Sequence, residues 1–245
     1  MDKRSDIVGE TSNIGAVVVA AGLSSRMGAY KPLLEIGGVT VARRVIGAFA
    51  EAGVNPIVVV TGHRAAELEA HLSELPPDAR EASIRAAGSA SPLRELLFVK
   101  NEDYSTTTMY ESAKIGLLRV IGRCSRTFFC PIDVPLFTPA TVSRLMACDA
   151  PVVKPVYKGI DGHPILIEVT LIPQLVGSAP LRNTLPDGAA TRDDNVNGER
   201  SLKTALAEFE SVTSRIEVDD EGILYDADTP ADMKRLTDIF SNNGS

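Results

Sequence analysis

The 245-residue chain has no tryptophan, and only 5% of its residues are aromatic. Its interior must therefore be filled by Val, Ile, Leu and Ala. Cysteine is equally sparse. Cys124, Cys130 and Cys148 are odd in number and none stands in a CxxC pair, which excludes a disulfide framework and a cysteine zinc site and suits a reducing compartment. No run approaches the ~18–20 apolar residues of a membrane helix. The opening "MDKRSDIVGETSN" lacks the apolar centre of a secretory signal. These absences predict a cytoplasmic protein with no membrane partner. A basic excess is missing too: 25 Lys and Arg stand against 32 Asp and Glu, a formal charge of −7, which argues against a nucleic-acid partner. A small anion can still be held by a few local cations.

What is present is a globular composition, 44% hydrophobic, enough for one sizeable core. Residues 1–13 read as a flexible polar tail and 14–241 as one domain. "IGAVVVAAG" and "PIVVVTG" are short continuous apolar runs of the kind buried on both faces of a parallel sheet. "TVARRVIGAFAEAG" and "RAAELEAHLSEL" follow them with helical spacing. Further on, "ELLFVK", "RTFFCPID", "PVVKPVYKG", "HPILIEV" and "VTSRIEVD" read as extended. "TMYESAKIGLLRVI", "ATVSRLMA", "SLKTALAEF" and a last segment from Pro230 read as helices. Alternation of strand and helix predicts an α/β fold with a doubly wound, mostly parallel sheet. The Pro-, Ala- and Ser-rich stretch 76–92 reads as a surface excursion, and the polar stretch 176–200 as a candidate lid.

Ligands of such sheets bind beyond the carboxyl ends of the strands. "AAGLSSRMGAYKPLL" lies there, and it is neither a Walker A sequence nor GxGxxG. Gly22 and Gly28 permit tight backbone geometry, and the N–H groups between them can turn toward an anion. Arg26 can grip phosphate oxygens bidentately, and Lys31 adds a point charge. The bland alternative is a glycine turn carrying two solvated cations. In "FFCPIDVPLF", Asp133 follows a strand, where a carboxylate can hold Mg²⁺ beside phosphates or simply cap a turn. In "LYDADTPADM", Thr229 and Pro230 suit a helix start, and capping leaves Asp226 unexplained, which makes it the better second metal ligand. His163, in "KGIDGHPIL", is either structural or a ligand contact.

Taken in order, these four motifs resemble the MobA-like nucleotidyltransferases over about residues 14–240. They are most similar to the branch containing molybdenum cofactor cytidylyltransferases and accessory proteins of molybdenum hydroxylases. The resemblance implies a single-domain Rossmann-like three-layer sandwich of the nucleotide-diphospho-sugar transferase type. It also implies that Ala21, Gly22, Leu23, Ser24, Ser25, Arg26, Met27 and Gly28 wrap a nucleoside triphosphate, with Arg26 and Lys31 as the catalytic cations. Asp133 and Asp226 would hold Mg²⁺, Asn101 would open a segment that contacts the nucleoside, and Gly162 and His163 would face the acceptor. Ala21, where the guanylyltransferase branch usually has glycine, favours CTP. Val134 stands where the family more often has glutamine, and threonine stands near 107–108 where glycine is usual. These departures leave open the base and the acceptor. Implied partners are the NTP, a phosphorylated acceptor such as molybdopterin, and a molybdenum hydroxylase apoenzyme. Other readings are transfer to a sugar phosphate or phosphonate, a non-catalytic cofactor carrier, and a nicotinamide-dependent reductase. The missing GxGxxG and the two separated aspartates weigh against the last.

Overall fold

The computed structural model describes residues 13–74, 95–177 and 201–243. The tail at 1–13, the excursion at 76–92 and the lid at 176–200 thus lie outside the described residues, save for Asn13, Val176 and Gly177. The first apolar run forms β1 (Ile14–Val19). Strands β4 (Ile57–Thr61), β5 (Leu96–Lys100) and β6 (Arg126–Pro131) continue its sheet, with β2 (Glu35–Ile36) and β3 (Val39–Thr40) forming a small separate hairpin. Then come β7 (Val152–Tyr157), β8 (Ile160–Asp161), β9 (Ile165–Glu168) and β10 (Thr213–Glu217). The sheet runs β10-β7-β9-β6-β1-β4-β5, with β8 on β7. β1 pairs in parallel with β4 and β6, as do β4 with β5 and β7 with β10. Among the described strands of this sheet, β9, against β6 and β7, and β8, against β7, run antiparallel.

Among the described residues the helices are α1 (Val41–Glu51), α2 (Ala65–Ser73), α3 (Met109–Val120), α4 (Pro139–Met146), α5 (Ile172–Leu175), α6 (Leu202–Ala207) and α7 (Pro230–Asn243), the last against β2. The period-2 alternation of strands divides the core into two layers. Ala16, Val18, Ile57, Val59 and Phe128 pack on Val45, Ile46 and Phe49 of α1, Leu68 of α2 and Leu145 of α4. Val17, Val19, Val58, Val60 and Phe129 pack on Tyr110, Ala113 and Leu117 of α3 and on Leu175 and Leu206. Helices on both faces of a mostly parallel sheet make the expected three-layer sandwich.

Helix starts obey local chemistry. Thr40 and Thr108 each accept a hydrogen bond from the backbone N–H three residues on, and so cap α1 and α3. Thr229 and Asp232 cap α7 reciprocally, with Pro230 as its first residue. Gly53 ends the α1 segment at φ +82, a left-handed conformation that glycine adopts without cost. At Gly116, α3 presses on the sheet: a Cβ there would lie 2.4 Å from Val17 Cγ1 and 2.7 Å from Val60 Cγ2. Among the described residues, no helix is long and apolar enough to cross a membrane.

Candidate functional site

At the carboxyl end of β1 the chain enters a loop that lines a cavity of about 250 Å³. Ala21, Gly22, Leu23, Ser24, Ser25 and Arg26 all border it. Ser24 takes a left-handed φ of 53, its carbonyl accepts from the Met27 N–H at 3.0 Å, and its hydroxyl accepts from the Lys31 N–H at 3.1 Å. The loop is thereby folded back on itself. No hydrogen bond joins the N–H groups of Gly22 to Arg26 to any other described residue, so they remain available as donors to an anion.

Lys31 opens a short 3₁₀ turn whose next residue is Pro32. Its Nζ donates to Asp133 Oδ2 at 3.1 Å and to Asp228 Oδ1 at 2.8 Å, and its side chain is only 11% exposed. Arg26 Nη2 stands 3.2 Å from the other oxygen of Asp228. The two contacts differ in kind. Lys31 and Asp133 are largely withdrawn from water, where losing one partner leaves a buried charge. The Arg26 guanidinium is 72% exposed, and a solvated pair of that sort contributes little. Asp133 follows β6, as the sequence predicts. Its backbone carbonyl accepts from the Ala227 N–H at 2.8 Å, which pins the segment carrying Asp226 and Asp228 beside it.

That segment departs from the sequence reading. Asp228, not Asp226, lines the cavity and meets both cations. Asp226 borders a neighbouring depression with Tyr225, Asp232 and Arg235. Burial pushes its carboxyl above the usual range, the charges of Asp133 and Asp228 add to this, and Lys31 opposes them. The sequence argument gave the capping duty to residues ahead of the helix and left Asp226 over. In fact Thr229 and Asp232 share that duty, so Asp228 is equally free of it.

Other expected residues divide between lining and support. Met27 is buried in the protein and Gly28 makes a turn at φ +69; neither borders the cavity. Asn101 is also buried and set back. Its amide donates to Thr107 Oγ1 and Ser112 Oγ, both at 2.9 Å, and its carbonyl oxygen accepts from the Asp103 N–H at 3.0 Å. It braces the 101–108 turn rather than lining the cavity. The wall itself comes from Tyr104, Thr107, Thr108, Met109 and Ser112, to which the sequence reading assigned no site role. The density of hydroxyls in "YSTTTMYES" was the available signal. Gly62 packs so tightly between Ala21 and Tyr104 that a Cβ there would come within 2.6 Å of the Ala21 carbonyl and 2.7 Å of Tyr104 Cβ.

A second cavity, of about 650 Å³, adjoins the first and shares Thr108, Met109 and Pro131 with it. Gly162 and His163 line it, together with Phe129, Lys154, Ser201 and Lys203. Gly162 also has a packing reason for its identity, since a Cβ would sit 2.6 Å from the Ile223 carbonyl. The His163 Nδ1 is buried without a hydrogen-bond partner among the described residues. Burial pushes the imidazole from the usual 6.5 to about 4; the Asp133 charge opposes this and Lys154 reinforces it. The ring is therefore neutral at physiological pH.

Among the described residues, no three His, Cys, Asp or Glu side chains converge to hold a metal ion unaided. The donor set nevertheless fits Mg²⁺, which takes one or two carboxylates and fills its shell with phosphate oxygens and water. Asp133 and Asp228 already converge on one cation, the Lys31 ammonium.

The strand ends of this α/β fold thus bring together a loop with unpaired N–H groups, two cations and paired carboxylates around one cavity. The chain belongs to the MobA-like NTP transferase family, whose model matches residues 16–185. A nucleotidyl transferase from Methanothermobacter thermautotroptrophicus has a similar structure, with a TM-score of 0.67 and 25% identity over 94% of this chain and 99% of that one. The bifunctional protein GlmU of Polaromonas sp. is 33% identical over 139 residues, 56% of this chain and 27% of that protein. The CMP-5'-(3-aminopropyl)phosphonate synthase of Streptomyces rubellomurinus is 31% identical over 139 residues, 55% of this chain and 19% of that protein. The matched stretch thus spans about a quarter or less of these curated relatives.

Proposed function

We propose that the protein transfers a nucleotidyl group, CMP from CTP by preference, to the phosphate of an acceptor bound in the second cavity, and releases pyrophosphate. The observation that carries this reading is Lys31 held between Asp133 and Asp228 at the mouth of the 20–26 loop. In the reaction, an acceptor phosphate oxygen forms a bond to the α-phosphorus while the bond from that phosphorus to the bridging oxygen of the β-phosphate breaks. Two polyanions must meet, so repulsion and positioning dominate the barrier. The N–H groups of Gly22 to Arg26 would hold the triphosphate. Lys31 and Arg26 would offset charge on the α-phosphate and on the departing pyrophosphate. Mg²⁺, held by Asp133 and Asp228 with phosphate oxygens, would supply charge neutralisation and fix the phosphate geometry. The acceptor phosphate is already ionised, so no general base is needed.

The second cavity sets the acceptor's character. Met109, Tyr110, Phe129, Ile165, Leu202 and Leu206 present an apolar surface, and its polar lining includes Lys203, Ser201, Thr108, His163 and Lys154, the last paired with Asp161 at 3.8 Å. This suits a phosphorylated acceptor with a flat body that stacks on apolar walls and offers hydrogen-bonding edges. Molybdopterin is such an acceptor and is the one favoured by the motif resemblance, with a molybdenum hydroxylase as the downstream partner. The phosphonate synthase relative supports both the cytidylyl choice and a second reading, transfer to a phosphonate. The test is release of pyrophosphate from each NTP with Mg²⁺ and molybdopterin, a sugar phosphate or a phosphonate. CTP with molybdopterin is expected to turn over fastest, and Asp133→Asn should lower that rate about 100-fold or more while the circular dichroism is unchanged. Unchanged turnover in the variant would remove Asp133 from the metal site, and no pyrophosphate with any acceptor would favour a cofactor carrier.

A further inference from the structure

We propose that Lys31 is a built-in counter-ion of the metal-binding carboxylates, so that the divalent cation enters only together with the triphosphate. The inference rests on the nucleotidyltransferase reading and adds to it an order of assembly. Lys31 Nζ contacts one oxygen of Asp133 and one of Asp228, at 3.1 and 2.8 Å, and Arg26 Nη2 contacts the remaining Asp228 oxygen at 3.2 Å. Two positive side chains therefore already face the two carboxylates, and three of the four carboxylate oxygens are engaged. A Mg²⁺ ion binds its oxygens at about 2.0–2.1 Å and demands a nearly octahedral shell. It cannot reach those oxygens while the Lys31 ammonium stands on them.

The surrounding charges point the same way. A divalent ion arriving alone would meet the Lys31 ammonium already seated on both carboxylates, with the more exposed Arg26 guanidinium beside them, and like charges at such distances repel in a partly buried site. It would also find at most two carboxylates to fill its shell, because no three acidic, histidine or cysteine side chains converge there among the described residues. A triphosphate removes both obstacles. Its oxygens complete the metal shell, and they give Lys31 and Arg26 new anionic partners beside the 20–26 loop. The lysine then exchanges carboxylate for phosphate without leaving the cleft, because its backbone stays tied to Ser24.

The test is Mn²⁺ binding to the full chain, followed by electron paramagnetic resonance, with and without a non-hydrolysable CTP analogue. Without nucleotide the wild-type protein should bind Mn²⁺ weakly, Lys31→Gln should tighten that binding about 10-fold or more, and Lys31→Arg, which keeps the charge, should leave it weak. Equal nucleotide-free affinity in the wild type and Lys31→Gln would overturn the proposal. Should Lys31→Gln not fold, the wild type alone decides. Its ¹⁵N-labelled Lys31 ammonium resonance should move when analogue and Mg²⁺ are added together and stay in place with Mg²⁺ alone, and movement with Mg²⁺ alone would overturn the proposal. Failure of the wild type to bind the analogue at all would bring down the nucleotidyl-transfer reading with it. Tight analogue binding with a metal affinity indifferent to Lys31 would remove only the order of assembly.

Discussion

At the scale of single residues, Asp226 and Asp228 are two positions apart and differ in surroundings. Asp228 shares its charge between Lys31 and Arg26, whereas Asp226 sits beside two other carboxylates and is pushed up by burial. A carboxyl raised in the folded state stabilises the protein below its unfolded pKa, and that contribution is lost as pH rises through the folded value. Asp226→Asn should therefore raise the melting temperature at pH 7 and change it little at pH 4, with most turnover retained, whereas Asp228→Asn should cut turnover at least about 10-fold. Melting curves at both pH values and pyrophosphate release would check this pair; the reverse ranking in turnover would restore Asp226 to the metal site. His163 titrates with the opposite sign. Its folded pKa of about 4 lies below the usual 6.5, so stability is full above 6.5 and falls as pH drops toward 4. The loss in that window is about 3 kcal/mol. His163→Gln should flatten the pH dependence of stability over that window, seen in urea titrations at each pH. The sequence made both residues visible but not their environments. Nothing in "DADTP" says which aspartate meets Lys31, because that depends on the hydrogen bond from Ala227 to Asp133, 94 positions back in the chain.

At the scale of elements, the strands and helices were legible because their signals are local. Continuous apolar runs gave β1 and β4, and the Thr-Pro pair gave the start of α7. What stayed hidden were support roles that need tertiary neighbours. Asn101, expected to open a segment that contacts the nucleoside, braces that segment through Thr107 and Ser112; Gly162, expected on the acceptor side, also yields space to Ile223. Helix α3 brings Met109 and Ser112 to the first cavity, and Gly116 lets it lie directly on β1 and β4. Gly116→Ala would lift that helix off the sheet. A loss of about 1–3 kcal/mol in unfolding free energy is expected from such overpacking, together with weaker nucleotide binding by calorimetry. A variant as stable as the parent would show that the helix shifts without strain.

At the scale of the molecule, the sheet divides its labour. The loop after β1, with the segment after β5, lines the first cavity, proposed for the nucleotide, while β7, β9 and α6 line the second, proposed for the acceptor. The segment after β6 carries Asp133 between them. Ligands that bind only the folded protein stabilise it by mass action, about 2.7 kcal/mol at a hundredfold excess over Kd. Thermal shifts with Mg²⁺ should therefore rank CTP above UTP, ATP and GTP. GTP at the head of that ranking would reject the inference drawn from Ala21.

The contact between Asp228 and the two cations also bears on how such a chain can be cut. The recognisable family region runs from 16 to 185, yet Asp228 lies beyond it, at the doorstep of the last helix. A fragment trimmed to the borders of similarity would keep the loop, Lys31 and Asp133 but forfeit the carboxylate that holds Arg26 and shares Lys31. The unit needed for the proposed reaction is thus longer than the region the family model matches, and the segment entering its last helix closes on the first loop like a clasp.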